Sequence, residues 1–107
     1  MPAKYDPKDE AAVSKIMAKH SAAEAARMFG FPAYKVNGKM AVRLHEDGVL
    51  VKVGRAQAEK LISAGTAKKF EPLPDRPWRD WVLLTDNIEG HADLFKQAVD
   101  VVKKETS

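Results

Sequence analysis

The tightest group of residues able to handle protons or metals is His45-Glu46-Asp47. A histidine beside two carboxylates could hold a divalent cation or relay a proton if the three side chains converged. Neighbouring residues of a strand point to opposite faces, so His45 and Glu46 diverge. Asp47 precedes Gly48, and an Asp-Gly pair is explained by a turn. His20 and His91 each stand alone on an amphipathic segment. Asp80, Asp86, Glu89 and Asp93 make a second acidic group, but hydrolysis by paired carboxylates needs a shared cleft and a fixed separation. Asp86 or Asn87 suits the cap of a final helix, with Glu89 and Asp93 near its positive end. Cysteine is absent, and Gly30, Gly38, Gly48 and Gly54 punctuate turns and strand ends rather than build a phosphate loop. No catalytic residue, metal ligand or cofactor site is assigned, and a non-enzymatic domain is expected.

Binding chemistry is better represented. Trp78 and Trp81 could stack on bases, with Arg76 and Arg79 near phosphates. The Trp81-Val-Leu-Leu run instead favours a structural Trp81, filling the junction between sheet and helix. The chain carries a net charge of +3, and the excess lies in residues 1–54. Arg27, Lys39, Arg43 and Lys52 fall in that half and are the candidate nucleic-acid contacts. The imbalance is mild for a dedicated nucleic-acid binder.

The elements that must position these residues follow from punctuation and periodicity. Asp6-Pro7 opens a first helix, whose stripe is Val13, Ile16, Met17 and His20. Residues 21–29 are ambiguous: Ser21 and Glu24 suggest a capping box, whereas Met28-Phe29-Gly30 suits a strand. Asn37-Gly38 and Asp47-Gly48 are hairpin signals, because both turn positions favour positive φ. They predict strands at 33–36, 39–46 and 49–53. A short helix carrying Ala58, Leu61 and Ile62 then stops at Gly65. Strands near 68–71 and 80–84 flank an irregular connection, PLPDRPW, at 72–78. A last helix presents Leu94, Phe95, Ala98, Val99 and Val102. The expected fold is one α+β domain over 1–107, ordered from about 7 to 104. It is a two-layer antiparallel sheet with helices on one face, in the order α-β(3)-α-β(2)-α.

Two-residue turns at both hairpins would oppose Val36 to Lys39, Tyr34 to Ala41, Val42 to Val53 and Arg43 to Lys52. Met40, Val42, Leu44, Val49, Val51 and Val53 would form the core face. Tyr34, Val36, Lys39, Ala41, Arg43, His45, Leu50 and Lys52 would share the other. A mixed apolar and basic face of this kind suits a protein interface. Tyr34, Val36, Ala41, Arg43, His45, Leu50 and Lys52 are therefore the interface candidates, for a homodimer or for another protein partner.

Arg27-Met28-Phe29-Gly30, Asn37-Gly38-Lys39-Met40, Leu50-x-Val-x-Val and Arg76-Pro77-Trp78-Arg79-x-Trp81-Val82 together resemble the TfoX/Sxy N-terminal domain family. The resemblance runs from about residue 10 to residue 104. A wider similarity to YjbR/MmcQ-like proteins touches the Trp81-Val82 strand and the last helix. The resemblance implies a two-layer fold related to secretion-chaperone-like domains, with an edge strand near 24–29. It also implies kinship with regulators of natural competence, in which a helical C-terminal domain follows; this chain ends near Lys104 and would be the stand-alone form. It carries over no catalytic residues.

No apolar run approaches the roughly 18 residues of a membrane span. MPAKYDPKDE lacks the apolar centre of a signal peptide. A cytoplasmic interaction or regulatory domain is the expectation, with weak, sequence-nonspecific nucleic-acid binding as the alternative.

Overall fold

The computed structural model describes residues 5–28, 30–71 and 78–106. Phe29, Arg76 and the rest of the proline-rich 72–77 stretch lie outside the described residues. The chain forms helix α1 (Pro7–Met17), strands β1 (Ala23–Met28), β2 (Phe31–Val36), β3 (Lys39–His45) and β4 (Gly48–Lys52), and helix α2 (Arg55–Ser63). Strands β5 (Lys68–Lys69) and β6 (Trp81–Leu84) and helix α3 (Ala92–Thr106) complete it. The six strands make one antiparallel sheet in the order β1-β2-β3-β4-β6-β5. The α+β architecture is as expected, with residues 23–28 settling as an edge strand rather than a helix. Nothing in Ala-Glu-Ala-Ala-Arg-Met itself favours a strand; pairing with β2 overrides alanine's helical propensity.

Asp6 caps α1 by accepting the Lys8 N–H at 2.8 Å, and Pro7 occupies the first turn. Ala12, Val13, Ile16 and Met17 are its buried stripe. The final helix starts differently from expectation. Asn87 takes a positive φ of 50° and its carbonyl closes a turn on Gly90. A 3₁₀ turn, Glu89–His91, then leads into α3, so neither Asp86 nor Asn87 caps it by side chain. The α1 and α3 stripes join Ala58 of α2 over Val36, Ala41, Val42, Leu44, Val49, Val51, Val82 and Leu84. All three helices thus contribute to one core on one side of the sheet.

Two register details decide what lies on the other side. First, Asn37 and Gly38 both have positive φ and form the expected β2–β3 turn, with Val36 opposite Lys39. Beyond Lys35 and Met40 the register shifts, so Tyr34 faces Val42 and Ala41 is the extra residue of a bulge. A bulge puts two successive side chains on one face. Tyr34, Val36 and Ala41 therefore point into the helix-side core, and Met40 points away from it. The expected two-face assignment is corrected at these four residues and at Lys39, which is opposite Val36 and so lies on the helix side.

Second, the β3–β4 turn consists of Glu46 and Asp47, with His45 opposite Gly48. Gly48 is not a turn residue but a strand residue. A Cβ there would run into the Leu84 carbonyl of β6. Its glycine serves a close approach between strands, which the Asp-Gly pattern cannot reveal. The pairing moves by two residues, so facing parity survives while partners change. Arg43 lies opposite Leu50, not Lys52. Lys52 lies opposite Trp81.

Candidate functional site

On the face away from the helices, the register lines up Ala26, Ala33, Arg43, Leu50, Leu83 and Lys68 across all six strands. This face is not bare. Leu50, Phe70 and Leu83 form a second buried cluster, against which Trp78 and Trp81 pack. Phe70 directly follows β5 in phase with Lys68, and its carbonyl accepts the Trp78 N–H at 2.9 Å. Phe70 and Trp78 thus bring two rings onto the sheet. Leu50 is completely buried beneath them, which corrects its expected exposure.

Five rings run side by side here: Phe31, His45, Phe70, Trp78 and Trp81. Successive centroids are 6.1, 5.2, 5.0 and 5.3 Å apart. Tilted and edge-on contacts dominate, the arrangement that ring quadrupoles favour. Only Phe70 of the five is buried; the others keep part of their surface in solvent. Trp81 is therefore structural in a different place from the one expected. It faces Phe70 and Trp78, not α3.

Arg43 sits within this run. Its guanidinium carbon lies 5.2 Å from the centroid of Phe31 and 6.0 Å from that of Phe70. The residue is 8% exposed, the one buried charged residue among those described. No described carboxylate pairs with it, and its Nε is buried without a hydrogen-bond partner. Burial lowers its pKa from the ordinary arginine range, yet a guanidinium stays charged near neutral pH. An unpaired buried charge costs several kcal/mol. A ring contact returns about 2 kcal/mol when desolvated, and less at the distance of Phe70. The rings offset only part of the cost.

His45 flanks this position. It accepts the Asp47 N–H through Nδ1 at 3.2 Å, and the Asp47 carboxylate lies 3.9 Å away. Glu46 and Asp47 are the exposed turn itself. Among the described residues, no three His, Asp or Glu side chains gather as a metal site. On the far side of Trp81, Met40, Lys52, Trp78, Arg79 and Asp80 join it to line an open groove of about 310 Å³.

The four basic candidates do not gather. Arg27 is exposed on edge strand β1, paired with Pro32, in phase with Ala25 and Tyr34 on the helix side. Lys39 is exposed at the opposite end of the β2–β3 hairpin. The Lys52 ammonium is bound by Glu105 of α3 at 2.7 Å. Arg43 is buried. Of the seven interface candidates, Arg43, His45, Leu50 and Lys52 share the second face; Tyr34, Val36 and Ala41 do not. Phe31, Phe70 and Met40 belong to that face and were missed. Phe31 was legible in principle, because it alternates in phase with Ala33 and Lys35.

No family model, no curated protein and no solved structure matches this chain. Among the described residues, no helix is long and apolar enough to cross a membrane.

Proposed function

We propose that this chain is a non-enzymatic interaction domain, cytoplasmic in location, whose second sheet face binds a protein partner. The carrying observation is the run of rings beside Arg43, all but Phe70 partly exposed. Aromatic residues and arginine are the residue types that dominate binding energy at protein interfaces. Phe31, Arg43, His45 and Trp81 are held on strands, so little ordering entropy is lost there on association. The motifs similar to the TfoX N-terminal family fit a regulatory role for such a domain. The nucleic-acid alternative has weaker support, because Arg27, Lys39, Arg43 and Lys52 occupy different faces and ends of the sheet.

A photo-crosslinking amino acid at Met40, beside Trp78 and Trp81, tests the proposal in the source cell. The control position is Lys96, exposed on α3. A discrete adduct from position 40 and none from 96 is expected. Its mass separates a second copy from another protein. No adduct at 40, or equal adducts at both, would refute the use of this face.

A further inference from the structure

The chemistry of the partner follows from Arg43, and this inference rests on the binding reading above. Nε is the only buried nitrogen of the guanidinium without a partner. Nη1 and Nη2 make no hydrogen bond to described residues either, and neither is fully buried. The Nε side is thus closed off, and the two terminal nitrogens are the ones left accessible, beside Phe31 and Phe70. That pair is the fork that takes a carboxylate through two parallel hydrogen bonds.

We infer that Arg43 is the receptor for a side-chain carboxylate of the partner protein, an aspartate or glutamate flanked by apolar residues. Three observations select this ligand. The charged strand residues placed on this face are mainly basic: Lys35, Arg43, Lys52 and Lys68, against Glu24 alone. A second copy docked face to face would bring like charges together, whereas an acidic segment is complementary. Among the described residues Arg43 is the one cation set over a ring face; Lys52 is engaged by Glu105, Arg79 lies in the groove on the far side of Trp81, and Asp47 stands close to His45. A single guanidinium beside a carboxylate matches a monoanion better than a phosphate dianion. Finally, none of the grooves beside Trp78 is lined by Arg43. A free metabolite would find little enclosure there, but a side chain presented by a protein surface needs none.

The aromatic setting gives the pairing its strength. A carboxylate entering between the rings leaves water behind, and charge-assisted hydrogen bonds strengthen as the local dielectric falls. It also supplies the opposite charge that the buried guanidinium lacks.

Guanidinium ¹⁵N–¹H resonances of Arg43, assigned by their loss in Arg43→Lys, provide the readout. The probes are a blocked tripeptide with glutamate between leucine and phenylalanine, its glutamine counterpart, and inorganic phosphate. The glutamate peptide is expected to shift the Arg43 resonances saturably, at least tenfold more tightly than the glutamine peptide or phosphate. Arg43→Lys should weaken the glutamate peptide about tenfold, read from Trp78 and Trp81 fluorescence. Equal binding of glutamate and glutamine peptides would overturn the carboxylate assignment while leaving the face available to a neutral partner. Tighter binding of phosphate would replace it with a phosphorylated ligand. Crosslinking at Met40 remains an independent measure of whether the face binds protein at all.

Discussion

Arg43 and Leu50 are direct partners across β3 and β4, a guanidinium beside a fully buried leucine. Leu50 is covered by Phe70, Leu83 and the tryptophans, while the charge next to it has no carboxylate among the described residues. A fold selected for stability alone would place an apolar side chain at position 43. The structure keeps a charge there at a cost, and that pattern fits a residue retained for binding.

Arg43→Met should therefore hold or raise stability. Replacing a buried, uncompensated charge by an apolar side chain of similar length is expected to add about 1–2 kcal/mol. Urea unfolding, compared by midpoint and slope, measures it. A loss of more than about 1 kcal/mol would mean that the ring contacts stabilise more than the charge costs.

Trp81→Ala should cost roughly 1–3 kcal/mol, below the 3–5 kcal/mol of a fully buried ring. The ring is half-buried against Phe70 and Trp78 and stands clear of the helix-side core. The variant should remain folded, with α-helical circular dichroism intact. A global loss of helix would restore the junction with α3 as its site.

The two hairpin glycines should respond very differently to alanine. At Gly48 an added Cβ meets the Leu84 carbonyl, a backbone atom that cannot move without breaking β4–β6 pairing. Gly48→Ala is expected to cost at least about 3 kcal/mol, through overpacking and strain together. At Gly38, with φ of +84°, nothing lies within 4 Å of the new atom. Only the backbone penalty remains there, about 1 kcal/mol. Thermal denaturation of both variants checks the ranking, and similar midpoints would contradict the close approach of Gly48 to β6.

These two glycines also show what the sequence could reveal. Asn37-Gly38 announces a turn because local φ preference is all that the turn needs. Asp47-Gly48 carries the same local pattern, but Gly48 is demanded by a strand 36 residues later, and no local rule sees that. The apolar alternation in β4 was readable, since Val49, Val51 and Val53 keep one phase. The bulge at Ala41 was not: alanine fits either face, and the shift shows only once Tyr34 is paired with Val42. Helix stripes of α1 and α3 were legible from periodicity. Edge strand β1 came from a family resemblance rather than from its alanines. For the site, Arg43, His45 and Lys52 were legible as one face by alternation. Phe70 is in phase with Lys68 and so follows from the same alternation; what alternation does not reveal is that Trp78 comes back to it, donating its N–H to the Phe70 carbonyl.

The most direct test of the account is the yield of the Met40 crosslink in three backgrounds: the natural chain, Arg43→Lys and Arg43→Met. A strong adduct is expected in the first, about tenfold less in the second and almost none in the third, with folding retained throughout. An adduct of unchanged yield in the folded Arg43→Met protein would contradict it.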